Sequence, residues 1–225
     1  MRRATGTMNS DFTFWKFTMN LKNICLLLLA IVPALALAQT PDTAPDLLIK
    51  NVTNEVLQII RSDKEIQAGS SKKVIDLIET KVLPHFNFMH MTQLAVGRDW
   101  KSASAAQQKQ LSDEFHTLLV RTYAKALTEY KNQSIEFKPF KLNAADTDVK
   151  VRTQVTQAGA KPIPLDYFLE KLPGGWKVYD IEVDGISLVI NYRESFGAEV
   201  RSGGIDGLIK TLQGKNKSGA GGDKK

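Results

Sequence analysis

Apolar residues recur at helical spacing through the first half of the chain. In "PDLLIKNVTNEVLQIIRS", which opens on Pro45 and Asp46, Leu48, Val52, Val56 and Ile60 stand four apart and share one face. "SSKKVIDLIETKVLP" repeats the pattern with Val74, Leu77, Ile78 and Leu83, and Pro84 ends it. In "PHFNFMHMTQLAVGRDW", Asn87 caps a short helix that Gly97 terminates. Its register turns Phe88, Met91, Leu94 and Ala95 inward and separates His85 from His90. Ser104 and Gln107 form a capping box that opens a long helix. Leu111, Phe115, Leu118, Leu119, Thr122, Tyr123, Ala126, Leu127 and Tyr130 make a broad apolar stripe along it.

After Lys131 the period drops to two. "SIEFKPFKL", "TDVKVRTQVTQ", "KPIPLDYFLEK" and "GGWKVYDIEVDG" read as strands separated by turn-forming segments. The second alternates most cleanly: Val149, Val151, Thr153 and Val155 face one way, Lys150, Arg152 and Gln154 the other. That alternation predicts a sheet with one covered and one solvated face. Pro162 and Pro164 suit a strand start or an edge. Beyond Gly185 helical spacing returns with Leu188, Tyr192, Phe196 and Val200; Gly203-Gly204 breaks it, and "IDGLIKTL" forms a last short helix. The order predicts an α+β fold: a four-stranded antiparallel sheet with one face covered by about six to seven helices.

The N-terminal stretch changes how composition is read. From Met19, Lys22 supplies a positive start, Ile24 to Leu35 an apolar run, and Ala36-Leu37-Ala38 a small-x-small box. The run is shorter than the roughly 20 residues that span a bilayer. A secretory signal cleaved after Ala38 is expected, and the residues before Met19 fit a signal n-region poorly. The expected division is therefore 1–38 extension and signal, 39–213 a single domain, and 214–225 a disordered Gly- and Lys-rich tail. Removing the signal takes away the sole cysteine, Cys25, so packing alone must hold the domain. It also lowers the net charge from +6 by three, and the tail carries the other three. The body is near neutral, which removes the basic-protein argument for nucleic acid.

Catalytic motifs are missing. There is no G-x-S-x-G, phosphate loop or dinucleotide fingerprint, and Ser187 reads as a helix N-cap. His85, His90 and His116 lack zinc-ligand spacing, and Asp146/Asp148 sit in a turn. No catalytic residue, metal ligand or cofactor is assigned. The helix stripe facing a sheet face of small and β-branched residues is compatible with a gap or with a solid core.

A resemblance favours the gap. "VLPHFNFMHMTQLAVGRDWKSASAAQQKQLSDEFHTLLVRTYAKAL", "PLDYFLEKLPGGWKVYDIEVDGISLVINYRESF" and "GGIDGLIKTL" resemble the periplasmic toluene-tolerance family, soluble phospholipid shuttles of the Mla outer-membrane lipid-asymmetry system. The most specific block is Trp176 to Asp180 with Asp184 to Leu188. Family members more often have Asp at the position of Asn87 and Glu at that of Asp184. The resemblance implies a periplasmic, non-enzymatic phospholipid carrier with an apolar lipid pocket between sheet and helices. It also implies docking to an outer-membrane lipoprotein-porin complex and to an inner-membrane ABC transporter with a hexameric lipid-binding subunit. Under it, the expected tail-lining residues are Phe88, Met91, Leu94, Leu119, Tyr123, Leu127, Val149, Val151, Leu165 and Tyr167, with Trp176 assigned to core. Without a dedicated Arg or Lys cluster, broad acceptance of phospholipid head groups is expected. The alternatives are an envelope adaptor with a solid core and a small cavity enzyme.

Overall fold

Residues 43–130 and 133–219 are described by a computed structural model, and all fall within one compact unit. The signal segment and its cleavage position lie outside the described residues. The helical half runs α1 (Pro45–Ser62), α2 (Lys64–Gln67), α3 (Ser71–Leu77), α4 (Phe88–Val96) and α5 (Ala105–Thr128). Two of them, α4 and α5, start with the capping chemistry expected from the sequence. Asn87 Oδ1 accepts from the His90 amide at 3.2 Å, and Gly97 closes α4 with φ 68°. Ser104 and Gln107 exchange backbone-to-side-chain hydrogen bonds at 2.9 and 3.3 Å.

Between α3 and α4 the chain widens into a π turn, Ile78–Val82, and tightens into a 3-10 turn, Leu83–His85. Pro84 sits within the 3-10 turn, whose C-cap is Phe86, and the wide turn rotates Ile78, Val82 and Leu83 to a common side.

Five antiparallel strands follow in sequential order: β1 (Ser134–Phe137), β2 (Asp148–Thr156), β3 (Ile163–Leu172), β4 (Gly175–Val183) and β5 (Ile186–Ser187). The first four are the strands read from the period of two. The two-residue β5 is the difference, and it forms because Asp184 (φ 50°) and Gly185 (φ 80°) fold the chain back in a tight hairpin. Pro164 is in the first residues of β3, where Gln154 is its partner, and β3 is an inner strand. On the outer sheet face Lys150 lies 2.9 Å from both Asp166 and Glu182, with Phe168 beneath its ammonium.

β4 carries a bulge. Val178 pairs with Leu169 and Asp180 with Phe168, leaving Tyr179 as the extra residue. The inward set is therefore Trp176 and Val178 before the bulge and Ile181 after it, which breaks strict alternation. The Asp180 carboxylate accepts from Ser187 Oγ at 2.5 Å and from the Ile181 amide at 2.8 Å, fixing the turn. Ser187 Oγ in turn accepts from the Ile190 amide at 2.8 Å, but Ser187 lies in β5 and Val189 precedes the 3-10 turn Ile190–Tyr192, so Ser187 is not the helix N-cap expected from the sequence.

The last helix, α6 (Arg193–Gly219), breaks at Gly204 (φ 66°) as expected. It does not stop at Leu212. Composition predicts a disordered tail for residues 214–219, and they are helical, because Asn216 docks on α5: its side-chain amide donates to the Glu114 carbonyl and carboxylate at 3.0 and 2.7 Å. Arg121 donates to the Asn216 carbonyl at 2.6 Å.

Buried side chains form three groups. One joins α4, α5 and α6 through Met91, Ala95, Leu111, Phe115, Phe196 and Leu208. A second joins α1, α3 and α5 through Val56, Ile60, Val74, Ile78 and Val120. The third is the inner sheet face with α1, where Ile49 meets Val149, Val151, Leu169, Trp176 and Val178.

Candidate functional site

The three groups meet without merging, and a cavity of about 350 Å³ lies where they meet. Each contributes to the wall: Met91 and Leu119 from the first, Val56, Ile78 and Val120 from the second, Ile49 and Val178 from the third. That volume falls near the lower end of the roughly 300–1,000 Å³ typical of small-molecule pockets. The helix α1 supplies one side with Ile49, Val52, Thr53, Val56 and Leu57, and the sheet the other with Ile135, Leu165, Tyr167, Val178 and Ile181. The bulge in β4 is what brings Ile181 round to this wall.

The few polar groups at the wall sit close to one another, the Tyr167 hydroxyl near the Thr53 side chain and the Tyr123 hydroxyl near Tyr192. Burial pushes both phenols up to about 12, so they stay neutral. His85 also lines the cavity; burial, reinforced by Lys177, holds its pKa below the usual imidazole range against the opposing pull of Glu55. Among the described residues no Asp, Glu, Lys or Arg lines this space. The arrangement offers an uncharged apolar surface and no acid-base pair.

Of the expected tail-lining residues, Phe88, Met91, Leu119, Tyr123, Leu127, Leu165 and Tyr167 line the cavity. Leu94, Val149 and Val151 do not. Leu94 packs into the α4–α5–α6 group, where its carbonyl accepts two hydrogen bonds from Arg193 at 3.0 and 2.7 Å. Val149 and Val151 point inward as read, but Ile49 of α1 and the neighbouring Trp176 and Val178 close over that part of the sheet. Trp176 is core, 4% exposed. The α1 wall was missed: its four-residue spacing marks an inward face, and spacing says nothing about whether that face meets protein or empty space.

The two histidines of the opening stretch go separate ways. His90 Nδ1 lies 2.8 Å from Glu170 Oε1, which also accepts from Asn87 Nδ2 at 2.7 Å, and its ring stacks on Tyr179 at 4.5 Å. Phe86 forms a parallel bridge with Val178, and the Asn87 amide donates to the Val178 carbonyl at 2.8 Å. These contacts fasten α4 to β4 and hold Phe86, Phe88 and Met91 at the cavity. Among the described residues no cluster of His, Cys, Asp and Glu is placed to hold a metal, and no helix is long and apolar enough to cross a membrane.

Comparison with known proteins gives concordant results. Residues 50–214 match the family model described as MlaC protein. The chain is 27% identical over 175 residues to the intermembrane phospholipid transport system binding protein MlaC of Haemophilus influenzae, covering 76% of this chain and 82% of that protein. It is 28% identical over 191 residues to toluene tolerance protein ttg2D of Pseudomonas putida, covering 84% and 86%. A crystal structure of a phospholipid-binding protein from Ralstonia solanacearum, in complex with a phospholipid, superposes with a TM-score of 0.72. It is 40% identical, and the match covers 78% of this chain and 98% of that one.

Proposed function

This chain belongs to the MlaC family, and from that membership we propose that it is a phospholipid carrier working in the periplasm. In this reading the signal is removed after Ala38, and the protein moves phospholipid between the outer and inner membranes, sustaining outer-membrane lipid asymmetry. Its docking partners are an outer-membrane lipoprotein-porin complex and an inner-membrane ABC transporter with a hexameric lipid-binding subunit.

The observation that carries the proposal is the uncharged cavity of about 350 Å³ between α1, α5 and the sheet. An acyl chain in water costs about 0.8 kcal/mol per CH₂, so about 15 methylenes cost roughly 12 kcal/mol. A lipid crossing an aqueous space unaided faces that whole cost. A dry apolar cavity removes most of it, and so does a bilayer, so exchange between the two is nearly balanced in the tails. Phe88, Met91, Leu119, Tyr123, Leu127, Leu165 and Tyr167 are the positions proposed to contact the acyl chains, with the α1 wall opposite. Met91 and the aromatic rings make a deformable surface suited to tails of differing length.

A solid-core adaptor would have no use for this space, and a cavity enzyme built on His85 would find no carboxylate, lysine or arginine among the described lining residues to pair with it. Denaturing protein purified without detergent and measuring released lipid by mass spectrometry tests the proposal. About one phospholipid per chain is expected; protein that carries none, and takes up none from vesicles, overturns it.

A further inference from the structure

A second recess, about 560 Å³, shares Thr53, Leu57 and Ile135 with the apolar cavity. Its remaining walls are polar: Asn54, Gln58, Arg61 and Ser62 from α1, and Ser134 from β1. Among the lining residues Arg61 carries the sole formal charge. Along α1 the sequence Thr53, Leu57, Arg61 advances by four residues per step, about 6 Å each at 1.5 Å per residue. One helix face thus passes from apolar cavity wall to a guanidinium in just over two turns. A phospholipid has the same order, with acyl chains followed by a phosphodiester.

We infer that this recess seats the head-group phosphodiester of the bound lipid and that Arg61 is its principal contact. The inference rests on the carrier reading above. Arg61 is exposed yet held: its guanidinium donates to the Tyr130 hydroxyl and lies over the Tyr130 ring, 5.6 Å from the centroid. The Tyr130 hydroxyl donates onward to the Gln133 carbonyl at 2.8 Å. One donor is used in this tether, and a guanidinium has five N–H groups in a planar fork suited to a phosphate. The Asn54 and Gln58 amides add neutral donors around it. Such a site recognises the charge that phospholipids share and leaves the variable alcohol in solvent. Broad acceptance among phospholipids is then compatible with rejection of lipids that lack the phosphate.

The test compares dioleoylphosphatidylglycerol with dioleoylglycerol, which have the same acyl chains. The purified protein is offered an equimolar mixture of the two in detergent micelles, and bound species are quantified by native mass spectrometry. The expected result is about a tenfold preference for the phospholipid, the effect of one charge-assisted hydrogen-bonded contact near the surface. In Arg61→Gln the ratio should fall toward one while dioleoylglycerol still loads, and Arg61→Lys should recover part of the preference. An unchanged ratio in Arg61→Gln overturns the inference. Equal loss of both lipids also overturns it, since Arg61 would then be acting on the cavity. Failure of the unaltered protein to load either lipid instead strikes the carrier reading itself.

Discussion

Val151 and Tyr167 are direct partners across β2 and β3, yet Tyr167 reaches the cavity and Val151, 1% exposed, is sealed in the core. The pair separates two effects that a hydrophobic substitution on one sheet face would otherwise mix. Val151→Ala should lower stability by about 2 kcal/mol through the lost methyl groups and the space they leave. Lipid content per folded chain should not change. Urea denaturation together with lipid extraction reads both quantities, and a drop in bound lipid without a stability loss would contradict this placement.

Filling the cavity should do the reverse. Leu119 and Leu165 enter it from opposite walls, one from α5 and one from β3. Leu165→Trp should cut co-purified phospholipid severalfold while the far-ultraviolet circular dichroism spectrum keeps its native form. Undiminished lipid would remove Leu165 from the tail-contacting set.

Acid should weaken the fold through His116. Its ring meets Phe88 edge-on at 4.7 Å, and Nε2 is buried without a hydrogen-bond partner. Burial lowers its pKa, outweighing the opposing pull of Glu79 and Asp113. The unfolded chain therefore takes up the proton first as pH falls, so the stabilisation is present above the ordinary value near 6.5 and is lost as pH falls through the lowered folded value. His85 has the same sign. Melting temperature should decline between about pH 7 and pH 5, and His116→Leu should flatten the decline. An identical slope in the variant would assign the effect elsewhere.

The hairpin between β4 and β5 gives a backbone prediction. Gly185 has φ 80°, and a Cβ there would meet nothing within 4 Å, so Gly185→Ala tests conformation without steric conflict. The cost should be about 1–2 kcal/mol. Asp184→Gly, at φ 50°, should be close to neutral. Chemical denaturation of the two variants decides it, and a costless Gly185→Ala would contradict the turn geometry.

The C-terminal helix gives the last. Asn216→Ala removes two hydrogen bonds to Glu114 and should cost about 1–2 kcal/mol. Ending the chain at Leu212 should lower the melting temperature by several degrees relative to the full chain. Equal melting of the two would mean that the Asn216 contacts add no stability.

Local rules alone determined much of this protein. The Asn87 and Ser104 caps, the Gly97 and Gly204 breaks, the four main strands and the inward row Val149, Val151, Thr153 depend on residues a few positions apart, and each is in place. The family was equally legible, from the Trp176 to Leu188 block and the order of its flanking segments. Other features needed distant partners. The helical end of α6 depends on Glu114 and Arg121, about a hundred positions away, and composition pointed to a loose tail instead. The β4 bulge depends on pairing with β3, and it overrides the alternation that would have turned Ile181 outward. The cavity is the clearest case. A period of four or two says that Leu94, Val149, Val56 and Leu119 all face inward, because periodicity reports only removal from water. Whether an inward side chain meets another or borders a void depends on how three groups of helices and strands fit in space, and only the tertiary structure decided that.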